Sequence, residues 1–266
     1  MAGTILVKDA IWRISTLLQD VSPQFNRWPE KEIVNWINDA HLAITKFLPA
    51  ACSRIDAIKL AQGTRQSIET IAAVDCKPGD GTTPAAPILG TQVLDVIRNM
   101  GADGLTAGNS IRLLPDGREV MDSQSPSWHT VTGTAVAGYM YDPRMPRYFY
   151  VTPAVPASPV MWAEVAYTAQ PIAIPNTGSA GSELYLVGGS STTKISVSDE
   201  YIDDLVNYAC ARAFMKNAQF AANGPAAANY TSLFTGSLNA KVTALTGNNP
   251  NLQRLPFAPE PIGAAK

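Results

Sequence analysis

The sequence predicts an α+β protein: a helical bundle built from N- and C-terminal helices, with an inserted β-rich module and an extended C-terminal tail. Three observations carry that prediction. Apolar residues recur at three- and four-residue spacing near both ends of the chain and lose that period between them. The middle is rich in Gly, Pro and Thr around short alternating runs. The final segment holds Pro250, Pro256, Pro259 and Pro261, which remove backbone donors and hold the chain extended. The expected divisions are residues 1–50 and 198–246 for the two halves of the helical module, 51–197 for the β module and 247–266 for the tail.

In the first helix Val7, Ala10, Ile11, Ile14, Leu17 and Leu18 line one face, and the helix stops near Asp20 ahead of Ser22-Pro23. The second starts at Trp28-Pro29-Glu30, where Pro suits the first position and the acid suits the positive end of the helix dipole. Its apolar face is Ile33, Trp36, Ile37, Ala40, Ile44 and Phe47, and Pro49 ends it.

The middle zone reads as short strands: Ile58 with Leu60, Ile111 with Leu113, Tyr148 with Tyr150, Val160 through Ala166, and Glu183–Val187. Gln62-Gly63 and Asp116-Gly117 read as turns between strands. Residues 75–87, with three prolines and two glycines, form the clearest loop.

Helix returns at Ser198, a good N-cap, with Asp199 and Glu200 behind it. Asp199, Glu200, Asp203 and Asp204 together read as a solvated, dipole-favoured helix start. Ile202, Leu205, Val206, Ala209 and Ala213 make its buried stripe. Gly224-Pro225 interrupts it. A last helix follows, with Tyr230, Leu233, Phe234, Leu238, Val242 and Leu245 on one side and Gly247 as its cap. Each end of the chain thus offers apolar faces without a near neighbour, and packing them together covers both. Trp36, Ile37, Leu205 and Val206 are the expected shared core.

Composition narrows the function. With 46% apolar residues the chain has material for a core, whereas 16% charged residues is low. A surface so short of charge suits a subunit covered by other chains. The net charge of -2 argues against tight general nucleic-acid binding, which needs a basic patch. Cys52, Cys76 and Cys210 form no C-x-x-C pair, so neither a disulfide framework nor a zinc site is expected. No apolar run is long enough for a signal peptide or a membrane span, so synthesis and folding in a cytoplasm are expected.

No active site emerges. His41 lies on the second helix and reads as a packing or surface residue. His129 has no accompanying Cys or second His, and zinc needs three or four protein ligands. Gly79-Asp80-Gly81-Thr82-Thr83-Pro84 lacks the third glycine and the following helix of a dinucleotide site. Gly178-Ser179-Ala180-Gly181 is not a nucleophile elbow. Asp142-Pro143-Arg144 reads as a turn with a local ion pair. No catalytic residue, cofactor or metal is expected.

Several segments taken in order carry a resemblance. They are Gln19-Asp20, Arg27-Trp28-Pro29-Glu30 with Trp36-Ile37-Asn38-Asp39-Ala40, and Leu60-Ala61-Gln62-Gly63-Thr64-Arg65-Gln66. Next come Ile97-Arg98-Asn99-Met100-Gly101, Tyr141-Asp142-Pro143-Arg144-Met145-Pro146 and Phe149-Tyr150-Val151-Thr152-Pro153. The last is Asp199-Glu200-Tyr201 leading into Leu205-Val206-Asn207-Tyr208-Ala209. From about residue 9 to 240 the chain resembles the adaptor (head-to-tail connector) proteins of tailed bacteriophages.

That resemblance implies a virion structural protein, assembled in the host bacterial cytoplasm and resident in the neck. It implies a ring of about twelve copies below the portal protein, with a tail or nozzle protein beneath. Viral DNA would pass through the channel without specific binding, and no membrane is involved. The tail lies outside the resemblance; Leu252, Leu255, Phe257 and Ile262 are its expected portal contacts, the other reading being a mobile terminus without a role. A Pro-rich segment loses little entropy on docking. Two alternatives stand beside the adaptor reading: a different tail or baseplate subunit, and a glycan-binding module using Trp128, Tyr139 and Tyr141.

Overall fold

The structure, a computed structural model, describes residues 3–20, 27–79, 84, 86–114, 117–175, 191–216 and 222–247. Among them are five α-helices: α1 (Val7–Leu17), α2 (Glu30–Phe47), α3 (Gly117–Gln124), α4 (Ile202–Lys216) and α5 (Asn223–Gly247). The strands are β1 (Ser53–Lys59), β2 (Gly63–Ser67), β3 (Cys76–Pro78), β4 (Gly90–Met100), β5 (Ala107–Ser110), β6 (Arg112–Leu113), β7 (Gly138–Tyr141), β8 (Tyr148–Val155) and β9 (Trp162–Ala169).

The expected helical bundle with an inserted module is not the architecture found. Helices and strands are both present, but nine strands form two sheets, and helix α3 lies among them in sequence. The β part is a unit with its own core, comprising Met1–Gly3, Pro49–Ala173 and Ser196–Ser198. The second unit is Thr4–Leu48, Ile174–Ile195 and Asp199–Lys266. Periodicity reports local conformation. It does not report which strands pair across a hundred residues, and that pairing makes the β part a fold of its own.

In the β unit, one sheet runs β3-β1-β9-β4-β5 and the other β2-β8-β7-β6. Strand β9 is the centre of the first: Val165 pairs with Asp56 on β1 and with Val96 on β4. Ala163, Val165 and Tyr167 alternate inward, while Glu164 and Ala166 on the other face are partly exposed. The inward row joins Val93, Val96 and Ile58 with Tyr139, Phe149, Val151 and Val155 of the second sheet in one core. The two sheets therefore share a sandwich interior.

Polar braces cross that interior. Asn99 donates to the carbonyls of Val136 (2.7 Å) and Asn109 (3.1 Å) and accepts from the Val136 N–H. Tyr139 donates to Asp95 at 2.7 Å. Gly90 is required by close approach, because a Cβ there would lie 2.4 Å from the Ile68 carbonyl oxygen. The loop predicted over 75–87 begins with an edge strand instead: β3 pairs with β1 through Asp56 to Ile58. Gly117, expected in a turn between strands, starts α3 at a φ of 70°.

In the second unit α1, α2 and α5 each pack against α4. Val7, Ala10, Ile11 and Ile14 of α1 and Ile33, Ile37, Ala40 and Ile44 of α2 are buried, as the spacing implies. Asp20 accepts from the N–H groups of Arg27 and Trp28 and so fixes the entry to α2. Asn38 clamps the backbone of Ile174 from both sides, accepting from its N–H at 2.8 Å and donating to its carbonyl at 3.1 Å.

Candidate assembly surface

Helix α5 is built from small residues. Pro225 sits in its first turn, and Lys241 is the only charged residue in its 25 positions. Ala227, Phe234 and Leu238 are its buried anchors. Phe234 meets Tyr208 of α4 edge-on at 5.2 Å, and Tyr230 stacks on Phe214 at 5.7 Å. On the opposite side Ala228, Ser232, Gly236, Ala240 and Ala244 follow one another at four-residue spacing, all exposed. A Cβ on Gly236 would find no atom within 4 Å. The exposed face of this helix is smooth and carries no charge.

Leu233 and Leu245, predicted on the inward face, are exposed. Leu245 has the right phase but is half exposed. Helix α4 has 15 residues and runs antiparallel to α5, so the last turn of α5 overruns it. Leu233 lies a residue's rotation away from the Phe234 row.

Lys241 falls on the buried side, seven residues after Phe234 and fourteen after Ala227. Its ammonium donates to Asp204 Oδ2 at 2.5 Å and to the Glu200 carbonyl at 2.7 Å, and lies 4.3 Å from the centre of the Tyr201 ring. Asp204 is fully buried, and its Oδ1 has no hydrogen-bond partner among the described residues. The four acids at 199–204 are thus not a uniform solvated start. Asp204 serves Lys241, while Asp199 accepts from the Thr4 and Ile5 N–H groups and the Thr4 hydroxyl. Those bonds, the Thr4 hydroxyl first, hold the Asp199 carboxyl below the usual carboxylate range. Lys241 was missed in the sequence. The available signal was a single cation in an otherwise uncharged helix.

The histidines do not form a site. His41 is buried on α2, its ring nitrogens lack hydrogen-bond partners among the described residues, and burial lowers its pKa to about 4. His129 stacks on Trp128 with ring centroids 3.9 Å apart, shares a 2.8 Å hydrogen bond with Thr64 Oγ1, and lies 3.3 Å from Asp122. Trp128 donates to that same carboxylate at 2.8 Å, which lowers the Asp122 pKa. The group pins α3 to β2. Among the described residues no cluster of His, Cys, Asp or Glu is placed to hold a metal. A cleft of about 280 Å³ opens beside α3, lined by Arg118, Tyr141, Arg144 and Tyr150. Asp142 and Arg144 on its rim form the local ion pair, at 2.9 Å.

Of the expected core residues, Ile37 and Leu205 are fully buried and Val206 is buried. Trp36 is half-buried and meets Trp28 edge-on at 6.0 Å. Leu252, Leu255, Phe257 and Ile262 lie outside the described residues, as does the run Glu183–Val187. Trp128 and Tyr139, offered for a glycan site, are buried, so only Tyr141 of that trio keeps partial exposure. No helix among the described residues is long and apolar enough to cross a membrane.

The family described as SU10 adaptor protein matches residues 6–254. The chain belongs to the SU10 adaptor protein family. These are phage head-to-tail adaptors, so this member is a phage structural protein and a virion component. Among curated proteins none matches the chain. The SU10 adaptor match spans both units, so the β sandwich and the helices α1, α2, α4 and α5 belong to one family unit of sequence.

Proposed function

We propose that this adaptor works as a ring of about twelve copies beneath the portal, joins capsid to tail, and lines the channel through which DNA leaves. The observation that supports this reading is the exposed face of α5. A free surface helix is ordinarily charged on its solvent side. The 228–232–236–240–244 row is uncharged and small, which suits close packing against a helix of the next subunit. A head-to-tail ring needs two different patches per subunit, and α5 supplies one. Residues 248–266 supply the link to the portal through Leu252, Leu255, Phe257 and Ile262. DNA passes without sequence-specific contact, in keeping with the chain's net charge of -2.

The test is Gly236→Arg. The isolated variant should fold and melt like the parent, because the position faces open space. It should fail to enter particles, and imaging of parent necks should show a ring. Normal incorporation of the variant would remove α5 from the contact. A neck holding one copy of the protein would remove the ring.

A further inference from the structure

We propose that Asp204 and Lys241 form a register lock for α5, setting the rotation at which the helix presents its uncharged face to a neighbouring subunit. The proposal rests on the reading of α5 as a subunit contact.

The apolar pattern of α5 defines its rotation poorly. The row facing α4 runs through the buried Ala227 and Phe234 to the partly exposed Lys241, with the buried Leu238 beside it. A competing row, one residue earlier at every step, runs Ala226, Leu233 and Ala240. It sets Leu233 between two alanines, with Ser237 in place of Leu238, and each residue step rotates the helix by about 100°. In that competing orientation Lys241 would swing off α4 and Asp204 would stay buried without its cation. A carboxylate with one oxygen already lacking a partner among the described residues makes that outcome severe.

Three separate groups hold the ammonium: the Asp204 carboxylate, the Glu200 carbonyl and the Tyr201 ring. All three belong to the start of α4 and the turn before it, so the lock fixes axial position as well as rotation. Buried ion pairs generally stabilise less than apolar residues of similar volume, and their best-attested use is to specify register. Here the same placement also takes the helix's only charge off its exposed face. Lys241 is therefore a positioning residue.

The experiment compares the parent, Lys241→Arg, and the double variant Asp204→Leu/Lys241→Met, which leaves no unpaired buried charge. Each carries a single added cysteine, either Ala240→Cys on the exposed face or Ala227→Cys on the buried one. The native cysteines are all buried, so background reaction with a thiol reagent is slow. In the parent, labelling at 240 should exceed labelling at 227 by about tenfold or more, as local opening limits the buried site. The arginine variant should keep that contrast and still enter particles. The double variant should melt no lower than the parent, lose most of the labelling contrast, and enter particles poorly. A double variant with full contrast and normal incorporation overturns the lock. If Gly236→Arg assembles normally, the subunit-contact reading fails, while the labelling contrast still judges the lock by itself.

Discussion

Tyr167 and Asp56, 111 residues apart in sequence, meet inside the β unit, where the tyrosine hydroxyl donates to Asp56 Oδ2 at 2.7 Å. Arg54 adds a 2.9 Å bond to the same oxygen. Burial, followed by the adjacent carboxylate, drives the Tyr167 hydroxyl pKa far upward, so it remains a donor at every accessible pH. Tyr167→Phe keeps the ring and deletes the donor. It should destabilise the protein by about 1–3 kcal/mol, seen as a lower melting temperature. An unchanged melt would mean that Arg54 alone satisfies the carboxylate.

Gly90→Ala should also destabilise, by about 1–3 kcal/mol, because the new methyl group meets backbone that cannot rotate away. The Ile68 carbonyl oxygen is 2.4 Å from the Cβ position and also accepts from the Gly90 N–H. Denaturant titration would measure the effect, and a midpoint equal to that of the parent would contradict the crowding.

Acid should weaken the helical unit through His41. Its ordinary pKa is 6.5 and its folded value is about 4, owing to burial. The unfolded chain therefore takes up a proton that the folded chain refuses. His41's contribution is complete above pH 6.5, declines as the pH falls, and is gone below about 4, a total of roughly 3 kcal/mol. His41→Leu should flatten stability between pH 6.5 and 4. An equal slope in the variant would assign the acid response elsewhere.

Leu205 is fully buried on α4, the helix that α1, α2 and α5 all touch. Leu205→Ala should cost roughly 2–5 kcal/mol by leaving a cavity. A loss below 1 kcal/mol in chemical denaturation would show that the surrounding helices close over it.

The helical faces were legible because Ile37, Ile44, Leu205 and Ala209 recur at the helical period and one side of each helix is buried. Helix α3 was not, since none of its residues is buried and it leaves no apolar stripe. Strand β3 is three residues long and hidden among prolines and glycines. The two-sheet architecture depends on pairings such as Asp56 with Val165, which no local pattern encodes. Within the candidate surface, the small-residue row was visible in the sequence but unread. The depth of Asp204 was not visible, because four acids in one helix start look alike until one of them meets a lysine from another helix.

The position of α4 late in the chain has a consequence for synthesis. Strands β1 to β9 all lie within residues 53–169 and can pair as soon as they leave the ribosome. The apolar faces of α1 and α2 cannot be covered by α4 until residues near 205 emerge. At about 5–20 residues per second this leaves those two faces bare for roughly 10–30 s on every nascent chain. The earliest part of the protein to be made thus waits for one of the last helices to cover its apolar faces.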